Sequence, residues 1–524
     1  MSVDLGLGVV LVVALVAAYT AQLVRWLRVL QREHYDPRSM RVFLGRWTSP
    51  QVASATSVER SRKRRPLTLS HVLIVAVVVT SLVRADVLAV IETTIYGVFC
   101  PQGLSVRGRT SRLEWTRRLT YVAVATSVVS VAIAATGVVT DRPWLPAIAM
   151  VWAVPITIDV TTRALAPLER HRALRFVAQA KARLERVKPR IVGITGSYGK
   201  TSTKNHLSDL LSPDGGVVAS PRSFINRAGL SRAINENLAD GTRIFIAEMG
   251  TYGRGEIRDL CSWCPPELAV VTAIGPVHLE RMKSVDEIEE AKYEITERAS
   301  TVVLNVDDSR LARWVDRLEG AGKRVRTAAS HNDHASVRVV EDGARWTVVV
   351  DGTSLGSLAA IPGVQKTNLA CALAAALELG LALDLVPERL GGVTSVAHRA
   401  RVETAPSGLI VIDDTFNANP ASAVAALALL KSLSASGRRA VVTPGFVEMG
   451  AEQYSANLAF ANRVQALGYE LVAVGRTNVV PLGVGYGQEP RRFDRRDQAV
   501  AWVRSSLGDG DAVLYLNDLP DHYP

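Results

Sequence analysis

The pattern of apolar and polar positions changes near residue 165. Before it, Leu5–Val24 runs without a charged residue, and further apolar runs lie at Leu67–Val83, Val87–Phe99, Leu119–Val139 and Trp144–Val160. A bilayer core is crossed by about 20 residues of helix, so runs of this kind predict membrane helices. The second and third runs are separated only by Arg84-Ala85-Asp86, which predicts a tight turn. From Arg190 the pattern alternates short strand-like runs with helical ones: Arg190–Thr195, Arg243–Ala247, Leu268–Ala273 and Thr301–Asn305. That alternation predicts a mostly parallel α/β sheet. The expected organisation is an α-helical membrane region over 1–165, a basic juxtamembrane helix over 166–189, an α/β domain over 190–390, and a smaller Rossmann-like α/β domain over 391–524.

Composition supports the division. The chain of 524 residues is 48% hydrophobic with mean hydropathy +0.15, and the apolar excess sits before residue 165. Net charge is +11. The basic stretches are Arg25–Arg65, Arg107–Arg118 and Arg163 onward, whereas Thr140-Asp141-Arg142 is nearly neutral. Placing all three basic stretches inside the cell follows the positive-inside rule. It requires the N-terminus outside, an odd number of crossings, and residues 190–524 in the cytoplasm of a bacterial cell with a multi-pass membrane anchor. Five crossings satisfy this. Val87–Phe99 is short and holds Glu92, so a re-entrant or interfacial piece is the alternative there. The first run lacks a basic n-region and a small-residue cleavage site, and reads as a retained anchor. Glu169–Arg190 reads as a basic helix leaving the membrane, either a solvated linker or a headgroup-binding helix. No aromatic-basic motif points to nucleic acid. Four cysteines make no disulfide scaffold, and Cys261-x-x-Cys264 has no second Cys or His pair to complete a zinc site, so it reads as packing.

The chemistry concentrates in Gly193–Lys204, GITGSYGKTSTK, between a predicted strand and a predicted helix. Gly196 and Gly199 let backbone N–H groups turn inward on phosphate, with Ser197, Tyr198 and Ser202 beside them. Lys200 reaches the outer phosphates, and the Thr201 hydroxyl can ligate Mg²⁺. The spacing is more compact than the general P-loop, since Ile194 stands where its first glycine would be. The other three strand-like runs lead to Glu248, His278 and Asn305, and ligands gather at the carboxyl ends of parallel strands. Mg²⁺ needs oxygen ligands close by. A four-crossing anchor would leave this site outside the cell, away from ATP.

This compact phosphate loop resembles that of the Mur ligase family, the ATP-dependent amide-forming enzymes of cell-wall peptide synthesis. The likeness is to the MurF branch, which adds D-alanyl-D-alanine. The family's E-x-G-x-x-x-x-G-E-I stretch is matched by Glu248, Gly250, Gly255, Glu256 and Ile257. Val277-His278-Leu279-Glu280 matches its A-H-L-E, and Ala291, Lys292, Glu294 and Ile295 match its A-K-x-E-I. Ser223–Leu230 resembles an N-x-x-G-x-P stretch through Asn226 and Gly229, with Ser231 at the proline position. VIDDTFNANP carries Asp413, Asp414, Asn417 and Asn419, and TPGFVEMGAEQY carries Glu448 and Gly450. Gln365-Lys366 stands where the family has a His-Asn pair, and Asn457 where it has a histidine.

The resemblance implies a Mur ligase central domain and C-terminal domain behind the membrane region, and it implies roles. Glu248 and Thr201 would hold one Mg²⁺, and His278 with a carbamylated Lys292 a second; an unmodified Lys292 reads as an ordinary exposed lysine. Asn305, Asn368 and Asp414 would contact ATP. Arg399 would reach it on domain closure, and Asn226, Asn417, Asn419 and Glu448 would face substrate. Lys200, His278, Lys292 and Arg399 would be catalytic. No sequence resembles the family's soluble domain for a UDP-linked sugar-peptide. The acceptor is therefore expected to be a membrane lipid-linked or polymeric carboxylate, and the donor an amino acid or peptide amine. A ligase like poly-γ-glutamate synthetase and a non-catalytic nucleotide-gated module are the alternatives.

Overall fold

The computed structural model describes residues 5–32, 35, 69–101, 104, 106, 113–139, 142, 144–221, 224–277, 279–343, 345–361, 363–394, 401–415, 418–433 and 436–518. His278, Arg399 and Asn417 of the expected site lie outside the described residues, as does most of the first basic stretch.

The apolar region forms helices α1 (Leu5–Arg32), α2 (Leu69–Leu82), α3 (Asp86–Phe99), α4 (Arg117–Ala135) and α5 (Trp144–Val187). Among the described residues, α1, α4 and α5 are long and apolar enough to cross a membrane. The other two have 14 residues each. At 1.5 Å per residue the described part of each reaches about 21 Å, against a hydrocarbon core of about 30 Å; α2 starts at the first described residue after 35. They pair as a hairpin whose tip lies beside Arg142, which donates to the Ser81 carbonyl at 3.1 Å. Its base stops at the depth of Gln22 and Arg25. Cys100 turns to extended backbone (ψ 150°), as a residue before proline prefers. The buried carbonyls at the end of α3 and just beyond it take donors from α1: Gln22 Nε2 to Cys100 at 2.6 Å, Arg25 Nη1 to Gly97 at 2.6 Å, and Arg25 Nε to Leu104 at 3.0 Å. A cation at a helix C-terminus satisfies both the orphan carbonyls and the dipole. Inside the hairpin, Thr80 Oγ1 donates to Glu92 at 2.8 Å. Beside the expected five crossings, with Val87–Phe99 as the possible re-entrant piece, the described residues form three long apolar helices and a helical hairpin.

Helix α5 has 44 residues and extends about 66 Å. The basic juxtamembrane helix is its second half rather than a separate element. It ends against the next domain, where Arg183 donates to Leu238 O at 2.6 Å and Asn235 O at 3.0 Å, and Asn235 Nδ2 returns a bond to Phe176 O at 3.0 Å.

The central domain holds β1 (Arg190–Thr195), β2 (Val217–Ala219), β3 (Ile244–Glu248), β4 (Leu268–Val271), β5 (Thr301–Asn305), β6 (Arg324–Ala329), β7 (Val337–Asp342), β8 (Arg345–Val350) and β9 (Thr353–Ala359). They form one sheet in the order β2-β3-β1-β4-β5-β6-β7-β8-β9, parallel through β7 and antiparallel beyond it. Strand β1 lies between β3 and β4, so chain order reverses at its carboxyl end, where α/β sheets leave a crevice for ligands. The strands are apolar because both faces are covered. On one face α6 (Lys200–Leu211) and α9 (Lys366–Glu378) pack Leu207 and Leu373 into one core with Ile194 of β1. On the other, α7 (Arg227–Asn237) and the helix Glu256–Trp263 pack over Phe245 and Ala269. Cys261 and Cys264 belong to this second core, which agrees with the packing reading. Burial pushes the Cys261 thiol up to about 12, and its sulfur lies 3.8 Å from Met249 Sδ.

The last domain holds β10 (Arg401–Thr404), β11 (Ile410–Asp414), β12 (Arg439–Thr443), β13 (Glu470–Val474), β14 (Arg491–Phe493) and β15 (Ala512–Leu516). Their order is β10-β11-β15-β12-β13-β14, parallel except for β10.

Candidate active site

The loop from β1 to α6 is shaped by two glycines in conformations that L side chains avoid. Gly196 has φ +149° and Gly199 has φ +81°. A Cβ on Gly196 would strike Thr272 Oγ1, and one on Gly199 would strike Asn368 Oδ1. These positions therefore require glycine for backbone shape and for close approach at once. Ser197 Oγ donates to Gly275 O at 3.0 Å and accepts from Gly275 N at 3.0 Å. Thr272 Oγ1 donates to the carbonyls of Thr195 and Tyr198. The loop is thus held from β4 and opens α6 with its N–H groups free of side-chain caps, the arrangement that binds phosphate. Lys200 folds back over it, its Nζ donating to Gly196 O at 2.7 Å.

One turn into α6, Thr201 and Lys204 converge on Glu248 at the end of β3. Thr201 Oγ1 donates to the two carboxylate oxygens at 2.9 and 3.1 Å. Lys204 Nζ donates to Glu248 Oε2 at 3.0 Å and to Ser220 O at 2.8 Å, and Ser220 Oγ accepts from Glu248 N at 3.1 Å. The Lys204 and Glu248 side chains are 2% and 4% exposed. Lys204 and Ser220 were not anticipated. The signal available was spacing, because Lys204 follows Lys200 by four residues and so shares its side of the helix.

Lys292 lies on α8 (Val285–Tyr293), whose N-terminus is capped by Ser284. It is 2% exposed, which overturns the ordinary exposed-lysine alternative. Burial, and then the nearby Lys200 cation, hold its pKa well below the usual lysine value. Two residues on, Glu294 accepts from Gly255 N at 2.7 Å and Arg258 N at 3.0 Å. This ties the A-K-x-E-I and G-E-I segments together. Among the described residues no group of three or more His, Cys, Asp or Glu is arranged to hold a metal.

The remaining expected residues fall in two groups. Asn368 stands in the first turn of α9 against Gly199, donating to Gln365 Oε1 at 3.1 Å. Gln365, standing in the family's histidine position, therefore orients Asn368. Asn305 donates to Thr272 O at 2.8 Å and accepts from Asp307 N at 3.0 Å, so its amide supports the residue that braces the phosphate loop. Ser202 lies in α6. Asn226 caps α7, accepting from Gly229 N at 3.0 Å. Asp414 ends β11, and Asn419 caps the helix Pro420–Ser432, accepting from Ala421 N and Ser422 N at 3.0 Å each.

Glu448 sits in the loop between β12 and α10 (Gln453–Ala466), with φ +62°. Its carbonyl accepts from Leu279 N at 3.0 Å, so the C-terminal domain touches the residue after His278. Burial first, and then the Glu452 carboxylate, raise the Tyr198 phenol above its ordinary range. Asn457, the departure from the family's histidine, is fully buried. It brackets Phe446, accepting from its N at 2.8 Å and donating to its carbonyl at 3.0 Å.

Comparison with known proteins agrees with this geometry. Residues 194–377 match the model of the Mur ligase middle domain. The chain is 30% identical over 279 residues to the UDP-N-acetylmuramoyl-tripeptide–D-alanyl-D-alanine ligase of Bacillus subtilis, covering 52% of this chain and 59% of that protein. To the enzyme of that name from Mycobacterium tuberculosis it is 31% identical over 362 residues, covering 62% of this chain and 69% of that protein. Among solved structures, the MurF ligase of Thermotoga maritima in complex with ADP superposes with a TM-score of 0.58 at 22% identity, covering 66% of this chain and 80% of that one. That last likeness concerns the fold. The chain belongs to the Mur ligase family, whose members are ATP-dependent ligases that form C–N bonds.

Proposed function

We propose that this chain is a membrane-anchored, MurF-like ligase that joins a carboxylate to an amine at the expense of ATP, in the synthesis of peptidoglycan or a related envelope polymer. The observation that carries the reading is the buried Thr201–Lys204–Glu248 cluster beneath the glycine cradle. A carboxylate and a hydroxyl at the mouth of a phosphate loop suit Mg²⁺, a hard cation that binds ATP phosphates through oxygen ligands. Thr201 and Glu248 would hold that ion, and when bound it supplies charge neutralisation at the phosphates.

The loop N–H groups and Lys200 orient the ATP γ-phosphate. The substrate carboxylate attacks its phosphorus, the bond to the β-phosphate oxygen breaks, and ADP leaves an acyl phosphate. The amine then attacks the acyl carbon, phosphate departs, and the amine loses a proton to give the amide. Most of the acceleration comes from positioning and charge stabilisation. Closure of the C-terminal domain, bringing Arg399 inward, excludes water that would hydrolyse the acyl phosphate.

Lys292 fits a second role. Burial, and then the Lys200 cation, lower its pKa well below the usual lysine value, which favours the neutral amine, the form that reacts with carbon dioxide. The resulting carbamate would turn a repelled cation into an anion fit, with His278, for a second Mg²⁺.

Three long apolar helices and the distribution of basic residues support a membrane anchor with the N-terminus outside and the ligase domains in the bacterial cytoplasm. A hairpin that does not cross and one that crosses twice both keep the number of passes odd, so the sidedness is the same. ADP release from the full chain in lipid nanodiscs, dependent on both acid and amine and lost in Lys200→Ala, is the expected result. ATP binding without turnover for any acid–amine pair would refute the enzyme.

A further inference from the structure

The loop Gly445–Gly450 touches three parts of the molecule at once. Its base is rigid: Asn457 brackets Phe446, Asn478 Nδ2 donates to Pro444 O and Phe446 O at 2.9 Å each, and Asn517 Nδ2 donates to Gly445 O at 2.7 Å. From that base Val447 packs into the apolar cluster of Trp26, Leu27, Leu30, Leu104 and Leu119 at the basic end of the helix bundle. The next residue, Glu448, accepts from Leu279 N, and Gly450 is so close to Leu279 that a Cβ there would lie 3.3 Å from the leucine Cβ. The bundle is also joined to the central domain through α5, which bonds to the end of α7, the helix capped by Asn226.

Resting on the ligase reading above, we propose that the basic end of the bundle is the third wall of the active-site cleft. The acid activated there is then an amphiphile, its apolar part in the bilayer and its carboxylate presented at the Val447–Glu448 loop. Val447 is a positioning residue, which fixes Glu448 against the His278 segment by anchoring its neighbour in the bundle. The left-handed backbone of Glu448 is a strained conformation that persists where the surroundings over-determine it, and here packing holds it from both sides. The same end of the bundle offers cations suited to an anionic headgroup. Arg118 lies 4.1 Å over the Tyr35 ring and 3.8 Å from Glu169, and Arg172 lies 4.7 Å over the Tyr121 ring.

The test uses the full chain in lipid nanodiscs. Hydrogen exchange is expected to accelerate by about tenfold or more at Leu279 and across 445–450 in Val447→Asp, and to stay at the parent rate in Val447→Ile. Unchanged protection in Val447→Asp overturns the wall. In parallel, ADP release is compared for one tripeptide acid carried on a polyprenyl diphosphate in the nanodisc and on UDP in solution, with D-alanyl-D-alanine as the amine. The polyprenyl form is expected to react about tenfold faster, with the preference erased in Val447→Asp and retained in Val447→Ile. Equal or faster release with the UDP form overturns the amphiphile. Release with neither overturns the amphiphile together with this choice of substrate for the ligase, while the exchange result still decides the wall.

Discussion

Replacing Lys204 by methionine removes one charge from a pair that is almost wholly out of water. Lys204 and Glu248 are 2% and 4% exposed and 3.0 Å apart, and the ammonium also serves Ser220 O. Methionine fills most of the space, so the loss is electrostatic. Glu248 is left buried with only the Thr201 hydroxyl and backbone dipoles to answer it. Breaking a buried pair from one side costs about 3–5 kcal/mol. For a domain of this size each kcal/mol lowers Tm by about 2–4 °C, giving a fall of about 6–20 °C. Scanning fluorimetry of the full chain in nanodiscs measures it, with Mg²⁺–ATP affinity followed by calorimetry. The double variant Lys204→Met/Glu248→Leu leaves no buried charge and is expected to be more stable than Lys204→Met alone, so the losses do not add. A fall below about 1 kcal/mol in Lys204→Met, with strictly additive losses in the cycle, would refute the assignment of Lys204 as the group that holds the Glu248 carboxylate.

Three other outcomes are expected. His206, buried on α6 with no partner for either ring nitrogen, is depressed by burial from 6.5 to about 4. The unfolded chain therefore binds the proton first: stability is full above pH 6.5 and falls by about 3 kcal/mol as pH drops toward 4. Melts between pH 7 and 4.5 should show a shallower acid loss in His206→Leu, and parallel curves would count against it. At Lys292, ¹³C-bicarbonate should give a carbamate resonance in the parent protein that is missing from Lys292→Met; the same resonance in both excludes Lys292 as its source. For topology, Val139→Cys is 86% exposed after α4, and the four native cysteines are buried. A membrane-impermeant maleimide should label Val139→Cys on intact cells but leave Glu489→Cys unlabelled until lysis, and the reverse pattern would invert the anchor.

Much of the central site was legible because its chemistry is local. A glycine needed at positive φ, a lysine and a threonine must stand within a few residues to form a phosphate loop, and parallel strands deliver Glu248 and Asn305 to the same sheet edge. Other parts were not. An isolated lysine on a helix carries no mark of burial, so Lys204 was passed over and Lys292 admitted a solvated alternative. Apolar length left a crossing and a re-entrant piece both open for Val87–Phe99, because it carries no information on the bonds that Gln22 and Arg25 make to the carbonyls at the end of α3. Asn457 and Gln365 read as departures from a pattern, whereas each is placed to hold a loop or an amide.

Periodicity, charge and short motifs determined which segments are apolar helices, which are strands, and where ATP chemistry is encoded, since each depends on neighbours in the chain. Tertiary structure alone decided that Glu248 is clamped by Lys204, that Lys292 is buried near Lys200, and that Val447 reaches the helix bundle while Glu448 reaches Leu279. These depend on burial and on contacts between residues far apart in sequence, and desolvation acts only once the chain has closed around the group.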